Sequence, residues 1–148
     1  DFCLSRGLGD VYKRQAIAAE NGRTLGLDGR VTWIESDLFT KVPQGACDWL
    51  VSNPPYLTKG DMEQLQPEVR HDPALALYGG DDGLEFYRLI AADSPAYVKA
   101  GGHCAVEIGA GQADAVTAIF CRYGAYDHEQ TVKDYGGIDR VLVFSRKE

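Results

Sequence analysis

Long apolar runs are scarce in this chain: none approaches the ~20 residues that a membrane-spanning helix needs, and no charged, apolar and small-residue succession marks a secretory leader. The expectation is a cytoplasmic protein. Clustered thiols are also missing, because Cys3, Cys47, Cys104 and Cys121 are widely scattered with no C-x-x-C pair among them. That spacing supports neither a disulfide framework nor a zinc site, and it reads as free thiols in a reducing compartment. His71, His103 and His128 are equally dispersed, so no metal is expected and no histidine-centred catalysis. Basic charge is in deficit: 15 Lys plus Arg against 22 Asp plus Glu give a net charge of −7. A protein that grips phosphate backbones through a broad basic face is thereby disfavoured.

What is present suits one globular domain, 148 residues long with 45% apolar and 25% charged residues. A chain of that length buries roughly two thirds of its unfolded surface without help from disulfides. Residues 1–15 stand apart, with no strand alternation and no sustained helical stripe. They hold Arg6, Lys13 and Arg14 against Asp1 and Asp10 in an otherwise acidic chain. They are read as a non-native leader, and residues 16–148 as the domain proper.

From Ala16 the pattern is regular. AIAAENGRTLGL predicts a helix closing near Gly26, and RVTWIES, after the Asp28-Gly29 turn, predicts a strand with Trp33 in the core. DLFTKVPQGA is a loop. CDWLVSN is a short apolar run of the buried parallel kind, with Trp49 also expected in the core. Tyr56 to Gly80 is long, polar and irregular, with at most a helical turn near DMEQL, and such loops are usually functional. A helix is expected from Asp82, with Glu85 as its capping-box partner and Leu84, Tyr87, Leu89 and Ile90 on its apolar face, until Pro95 breaks it. GHCAVEIG predicts another strand, GQADAVTAIFCRYG another helix, and HEQTVKDY and DRVLVFSRK the last two strands. Only a few residues around Gly136-Gly137 join that final pair, so they must be antiparallel. The sum is an α/β sandwich with a mostly parallel sheet and an antiparallel last strand.

The chemistry-bearing motif is Asn53-Pro54-Pro55-Tyr56, at the carboxyl end of an apolar strand. Ligands of open α/β sheets bind outside that end. Two consecutive prolines remove two backbone donors and fix two φ angles, leaving stiff carbonyls that can only accept hydrogen bonds. Asn53 adds a side-chain carbonyl, and Tyr56 an aromatic face with a hydroxyl. Such a cradle suits a planar NH2 group, holding a weakly nucleophilic nitrogen in line with an electrophile; orientation of that kind is worth about 7–11 kcal/mol of barrier.

The Asn-Pro-Pro-Tyr signature after a hydrophobic strand resembles that of S-adenosylmethionine-dependent amino-methyltransferases. VSNPPYL, PEVRHDPALALYGGDDGLEFYRLI, GGHCAVEIGAGQ and DYGGIDRVLVF, in that order, resemble the release-factor glutamine N5-methyltransferases, from Ala16 to the end. The block Pro73 to Leu84 is the more specific part. The resemblance implies a Rossmann-like class I methyltransferase fold and S-adenosyl-L-methionine as methyl donor. The implied substrate is the glutamine of a Gly-Gly-Gln loop in a peptide-chain release factor. Asn53 and the Pro54 carbonyl would hold the amide, Pro55 and Tyr56 would shape the slot, and Asp37 and Leu38 would flank the adenine, with Asn53 near the cofactor too. An Asp in the place of Asp37 also serves as a turn cap. A ribosomal-protein glutamine or a nucleic-acid base is the alternative substrate, the latter disfavoured by charge and by the Pro73 to Leu84 block.

Two features of that fold are not found: a strand ending in Gly-x-Gly-x-Gly, and a second strand ending in an acidic residue. Gly7-Leu8-Gly9 has neither a recognisable strand before it nor a helical stripe after it. The expectation is therefore the C-terminal part of a catalytic domain, lacking its first two strands and inactive alone. A substrate-binding segment without catalysis is the rival reading.

Overall fold

The computed structural model describes residues 2–4, 11–27, 29–45, 47–65 and 73–148. Five strands form one mixed sheet: β1 (Phe2–Leu4), β2 (Cys47–Ser52), β3 (Val98–Glu107), β4 (Tyr126–Lys133) and β5 (Asp139–Arg146). Their spatial order is β1-β2-β3-β5-β4. β1, β2 and β3 are mutually parallel, while β5 runs antiparallel to both β3 and β4. The last strand of the chain is thus inserted between its two predecessors, the expected sense for a tight hairpin. The sheet has the expected α/β form, with four strands running one way and the last strand antiparallel to them.

Among the described residues five α-helices accompany it: α1 (Val11–Thr24), α2 (Lys59–Glu63), α3 (Ala74–Leu77), α4 (Glu85–Asp93) and α5 (Ala113–Arg122). Tyr87, Ile90 and Ala91 of α4 and Val116 and Phe120 of α5 are buried against Leu50, Cys104, Val106, Leu142 and Phe144 of the sheet. Alternation along the strands carries those residues to one face and Trp49 and Val51 to the other. Phe120 stacks on Phe144 with ring centroids 4.2 Å apart. In the same core the Ser94 and Tyr126 hydroxyls pair at 2.9 Å.

Several expectations are corrected. Residues 31–36 form no strand. Val31, Trp33 and Ile34 favour extended backbone, but the segment pairs with none of the described strands, and a strand without a neighbour leaves its polar backbone unpaired. Trp33 is about half exposed instead of core, lying over α1 where a Cβ on Gly22 would come within 3.3 Å of its ring. Trp49 is also exposed, stacked on His103 at 4.4 Å on the face opposite the core. The α4 helix begins at Glu85, not Asp82, and has no side-chain cap. The Asp82 carboxylate instead accepts from the Leu84 N–H at 3.1 Å and pairs with Arg88 at 2.5 Å. Leu89, expected on the apolar face, is exposed. The long loop holds α3 besides the turn near DMEQL, which is α2. Gly7-Leu8-Gly9 lies outside the described residues, but a strand does precede it and a helix does follow it: β1 and α1, the latter starting before Ala16.

Candidate functional site

Apolar β2 carries the chain to the carboxyl edge of the sheet and stops there, because Pro54 and Pro55 cannot continue a ladder. Pro54 is buried and Asn53 exposed, with Pro55 and Tyr56 between those extremes. The four open onto a cleft of about 560 Å³, whose far wall is Asp61, Gln64 and Leu65 at the end of α2 with Ala76 and Leu77 of α3. Among the described residues, none hydrogen-bonds the Asn53 side chain or the Pro54 carbonyl. Both acceptors therefore remain available to a ligand.

The block expected to be specific, Pro73 to Leu84, wraps directly around this segment. The Leu57 N–H donates to the Leu77 carbonyl at 2.9 Å, and the Gly79 N–H donates to the Leu57 carbonyl at 2.8 Å. Gly79 passes so close that a Cβ there would sit 2.6 Å from the Pro55 carbonyl oxygen. Gly83, at φ +71°, would bring a Cβ within 2.4 Å of the Tyr56 carbonyl oxygen. These two glycines are there because backbone meets backbone.

Sequence reasoning missed Gln112, the residue before α5. Its Nε2 donates to the Tyr56 carbonyl at 3.1 Å, and its Oε1 accepts from the Gly109 N–H at 2.9 Å. The Gly109-x-x-Gln112 spacing was the available signal, since a side-chain amide three residues after a glycine can fold back on its N–H.

Charge around the cleft is fixed rather than mobile. Thr58 caps α2: its hydroxyl and N–H donate to the Asp61 carboxylate at 2.6 and 2.9 Å and hold that carboxyl below the usual carboxylate range. On the other side, Arg140 donates to Asp134 at 3.0 Å, which raises its guanidinium further, with smaller contributions of the same sign from Tyr56 and Glu107. Tyr87 donates to the Glu107 carbonyl at 2.9 Å, and burial pushes its hydroxyl far up, so it stays a neutral structural donor. Among the described residues no group of His, Cys, Asp or Glu could hold a metal ion.

Asp37 and Leu38 are not brought to Asn53. They line a separate cleft of about 830 Å³ together with Asp93, Pro95, Ala96 and Tyr97. Those last residues lead into the start of β3, so this cleft lies at the opposite edge of the sheet from Asn53. Phe39 anchors the segment there, stacked on Tyr97 at 4.6 Å and buried. The residues assigned to the adenine thus form no single donor site with Asn53.

Comparison with known proteins adds the rest. No family model matches the chain. It is 47% identical over 143 residues to the release factor glutamine methyltransferase of Agrobacterium fabrum, covering 95% of this chain and 49% of that protein. With the release factor glutamine methyltransferase of Geobacter sulfurreducens it shares 47% over 128 residues, covering 86% of this chain and 44% of that one. A methyltransferase from Pyrococcus furiosus superposes with a TM-score of 0.69 at 15% identity, over 99% of this chain and 61% of that structure, a likeness of fold alone. The chain spans about half the length of the curated relatives it matches, and over that span it is similar to release factor glutamine methyltransferases.

Proposed function

We propose that this chain carries the amide-holding part of an S-adenosyl-L-methionine-dependent methyltransferase acting on a glutamine side-chain nitrogen, in the Gly-Gly-Gln loop of a cytoplasmic peptide-chain release factor. The observation that supports this most is the pair of unengaged acceptors, the Asn53 side-chain carbonyl and the Pro54 carbonyl, on a rigid turn facing a cleft. A primary amide offers two N–H donors in one plane, and two acceptors on a fixed frame match it. The same acceptors favour the positive charge that grows on nitrogen during attack on a methyl group. Tyr56 and Leu57 close the slot, and the ionised Asp61 sets an acidic wall.

The donor's role is to supply an electrophilic methyl. Because Asp37 and Leu38 face the other edge of the sheet, no step is assigned to them. That separation favours a chain that binds the glutamine amide without transferring a methyl group on its own.

The test is a 15N-1H titration of the chain with acetyl-Gly-Gly-Gln-amide and, separately, acetyl-Gly-Gly-Glu-amide. Saturable shifts at Asn53 and Tyr56 with the glutamine peptide alone are expected. Equal responses to both peptides, or none, would contradict the reading.

A further inference from the structure

We propose that Gln112 is the positioning residue of the cradle: it pins the Tyr56 carbonyl and so sets the direction in which the Asn53 and Pro54 acceptors point. The prolines fix φ at positions 54 and 55, and Pro55 also restricts ψ at 54, but ψ at 55 is left open, so stiffness within the turn does not by itself aim the chain beyond it. An anchor just beyond Pro55 is needed, and the Tyr56 carbonyl has one in the Gln112 Nε2 donor at 3.1 Å. The same nitrogen approaches the Gly83 carbonyl at 3.4 Å, while Oε1 accepts from the Gly109 N–H at 2.9 Å. The orientation of the amide is set by its neighbours, since an N–H must face oxygen and two carbonyls must face nitrogen. One side chain thereby joins the end of β2, the loop before α4, the end of β3 and the start of α5.

The surroundings are cut to fit it. A Cβ on Gly109 would lie 2.8 Å from Gln112 Oε1 and 3.0 Å from Tyr56 Cδ2, and a Cβ on Gly83 would lie 2.8 Å from Gln112 Nε2. Both flanks are glycine where the amide and the Tyr56 ring need the space.

Two substitutions separate positioning from bulk support. Gln112→Ala removes all three contacts. Gln112→Glu keeps the shape but, when ionised, turns a negative oxygen toward the Tyr56 and Gly83 carbonyls; when protonated it regains one donor. Those carbonyls favour the protonated form, so recovery is expected as pH falls from about 8 to about 5. The other titratable groups on the elements meeting here and on neighbouring β5 include Tyr56, Asp81, Asp82, Glu85, Tyr87, Glu107, Asp114 and Arg140, with His103 further back along β3. All are shared with the parent chain and cancel in the ratio of variant to parent at each pH.

The inference rests on the proposed function only for the identity of the ligand, so two readouts are taken on the whole chain. In the free protein, the Gly109, Tyr56 and Leu57 amide resonances should move in Gln112→Ala, and in Gln112→Glu they should return toward the parent positions on acidification. Affinity for acetyl-Gly-Gly-Gln-amide should fall on the order of tenfold in Gln112→Ala, the size of one or two net hydrogen bonds, and Gln112→Glu should regain it at low pH. Unmoved Tyr56 and Leu57 resonances in Gln112→Ala, or no pH-dependent return in Gln112→Glu, would overturn the assignment. If Gln112→Ala does not fold, the pH series of Gln112→Glu decides alone. A parent chain that ignores the peptide counts against the proposed function, while the resonances still judge Gln112.

Discussion

Gly83→Ala is the sharpest perturbation the structure offers. Position 83 sits at φ +71°, and an added Cβ would meet the Tyr56 carbonyl oxygen at 2.4 Å and Gln112 Nε2 at 2.8 Å. The left-handed conformation alone costs an L-residue about 1–2 kcal/mol. Pressing a methyl against backbone that cannot swing away adds about 1–3 kcal/mol, as in overpacked cores. The expected loss is therefore about 3 kcal/mol, or about 6–12 °C in melting temperature for a chain of this size. Gly124→Ala is the matched control, because Gly124 has φ +75° with nothing within 4 Å of its would-be Cβ. It carries the dihedral cost and the same loss of unfolded-chain freedom, without the collision. Equilibrium urea unfolding of both variants reads the difference as a shift in midpoint at common slope. If Gly83→Ala is no less stable than Gly124→Ala, the close packing of the Pro73 to Leu84 block on the Tyr56 backbone is wrong.

Further outcomes are expected elsewhere. Ser94→Ala should cost about 1–3 kcal/mol by leaving the buried Tyr126 hydroxyl unpaired, and adding Tyr126→Phe should recover part of that loss in a double-mutant cycle by thermal unfolding. The Ile138 N–H, followed by Arg140, holds the Asp134 carboxyl below the usual carboxylate range. A lowered pKa means the stabilising contribution is present above about 3.9 and is lost as pH falls through the lowered value. The Gly136 and Ile138 amide resonances should therefore hold through pH 3.9 and move only in stronger acid, and Asp134→Asn should abolish the step; a midpoint at or above about 3.9 would contradict it. Calorimetry with S-adenosyl-L-methionine should show no micromolar binding to this chain, because Asp37 and Leu38 do not converge with Asn53; micromolar heats would refute that placement.

Local chemistry made much of the fold legible. Pro54-Pro55 ended β2 where proline must end a ladder, and the short link at Gly136-Gly137 forced β4 and β5 antiparallel. The apolar stripes of α4 and α5 buried Tyr87, Ile90, Val116 and Phe120 as their spacing implied. What was illegible depended on distant partners. Val31 to Ser36 has strand-forming residues but pairs with none of the described strands, and Trp49 is about two fifths exposed, on the face opposite the core. Asp82 looks like a cap, yet Arg88 and the Leu84 N–H claim its carboxylate. At the proposed site, the place of Asn53 to Tyr56 just beyond β2 could be read from residue chemistry alone. For Gln112 only the local bond to Gly109 was legible, because its other partner, Tyr56, lies 56 positions away in the chain.

The central claim is that Asn53 and the Pro54 carbonyl grip a glutamine side-chain amide. Its most direct measurement follows the two side-chain amide protons of acetyl-Gly-Gly-Gln-amide, labelled with 15N at the glutamine nitrogen, as parent chain or Asn53→Ala is added. Both protons should shift and saturate with the parent and lose most of that response with Asn53→Ala. Protons that do not respond, or that respond equally to both proteins, would contradict the claim.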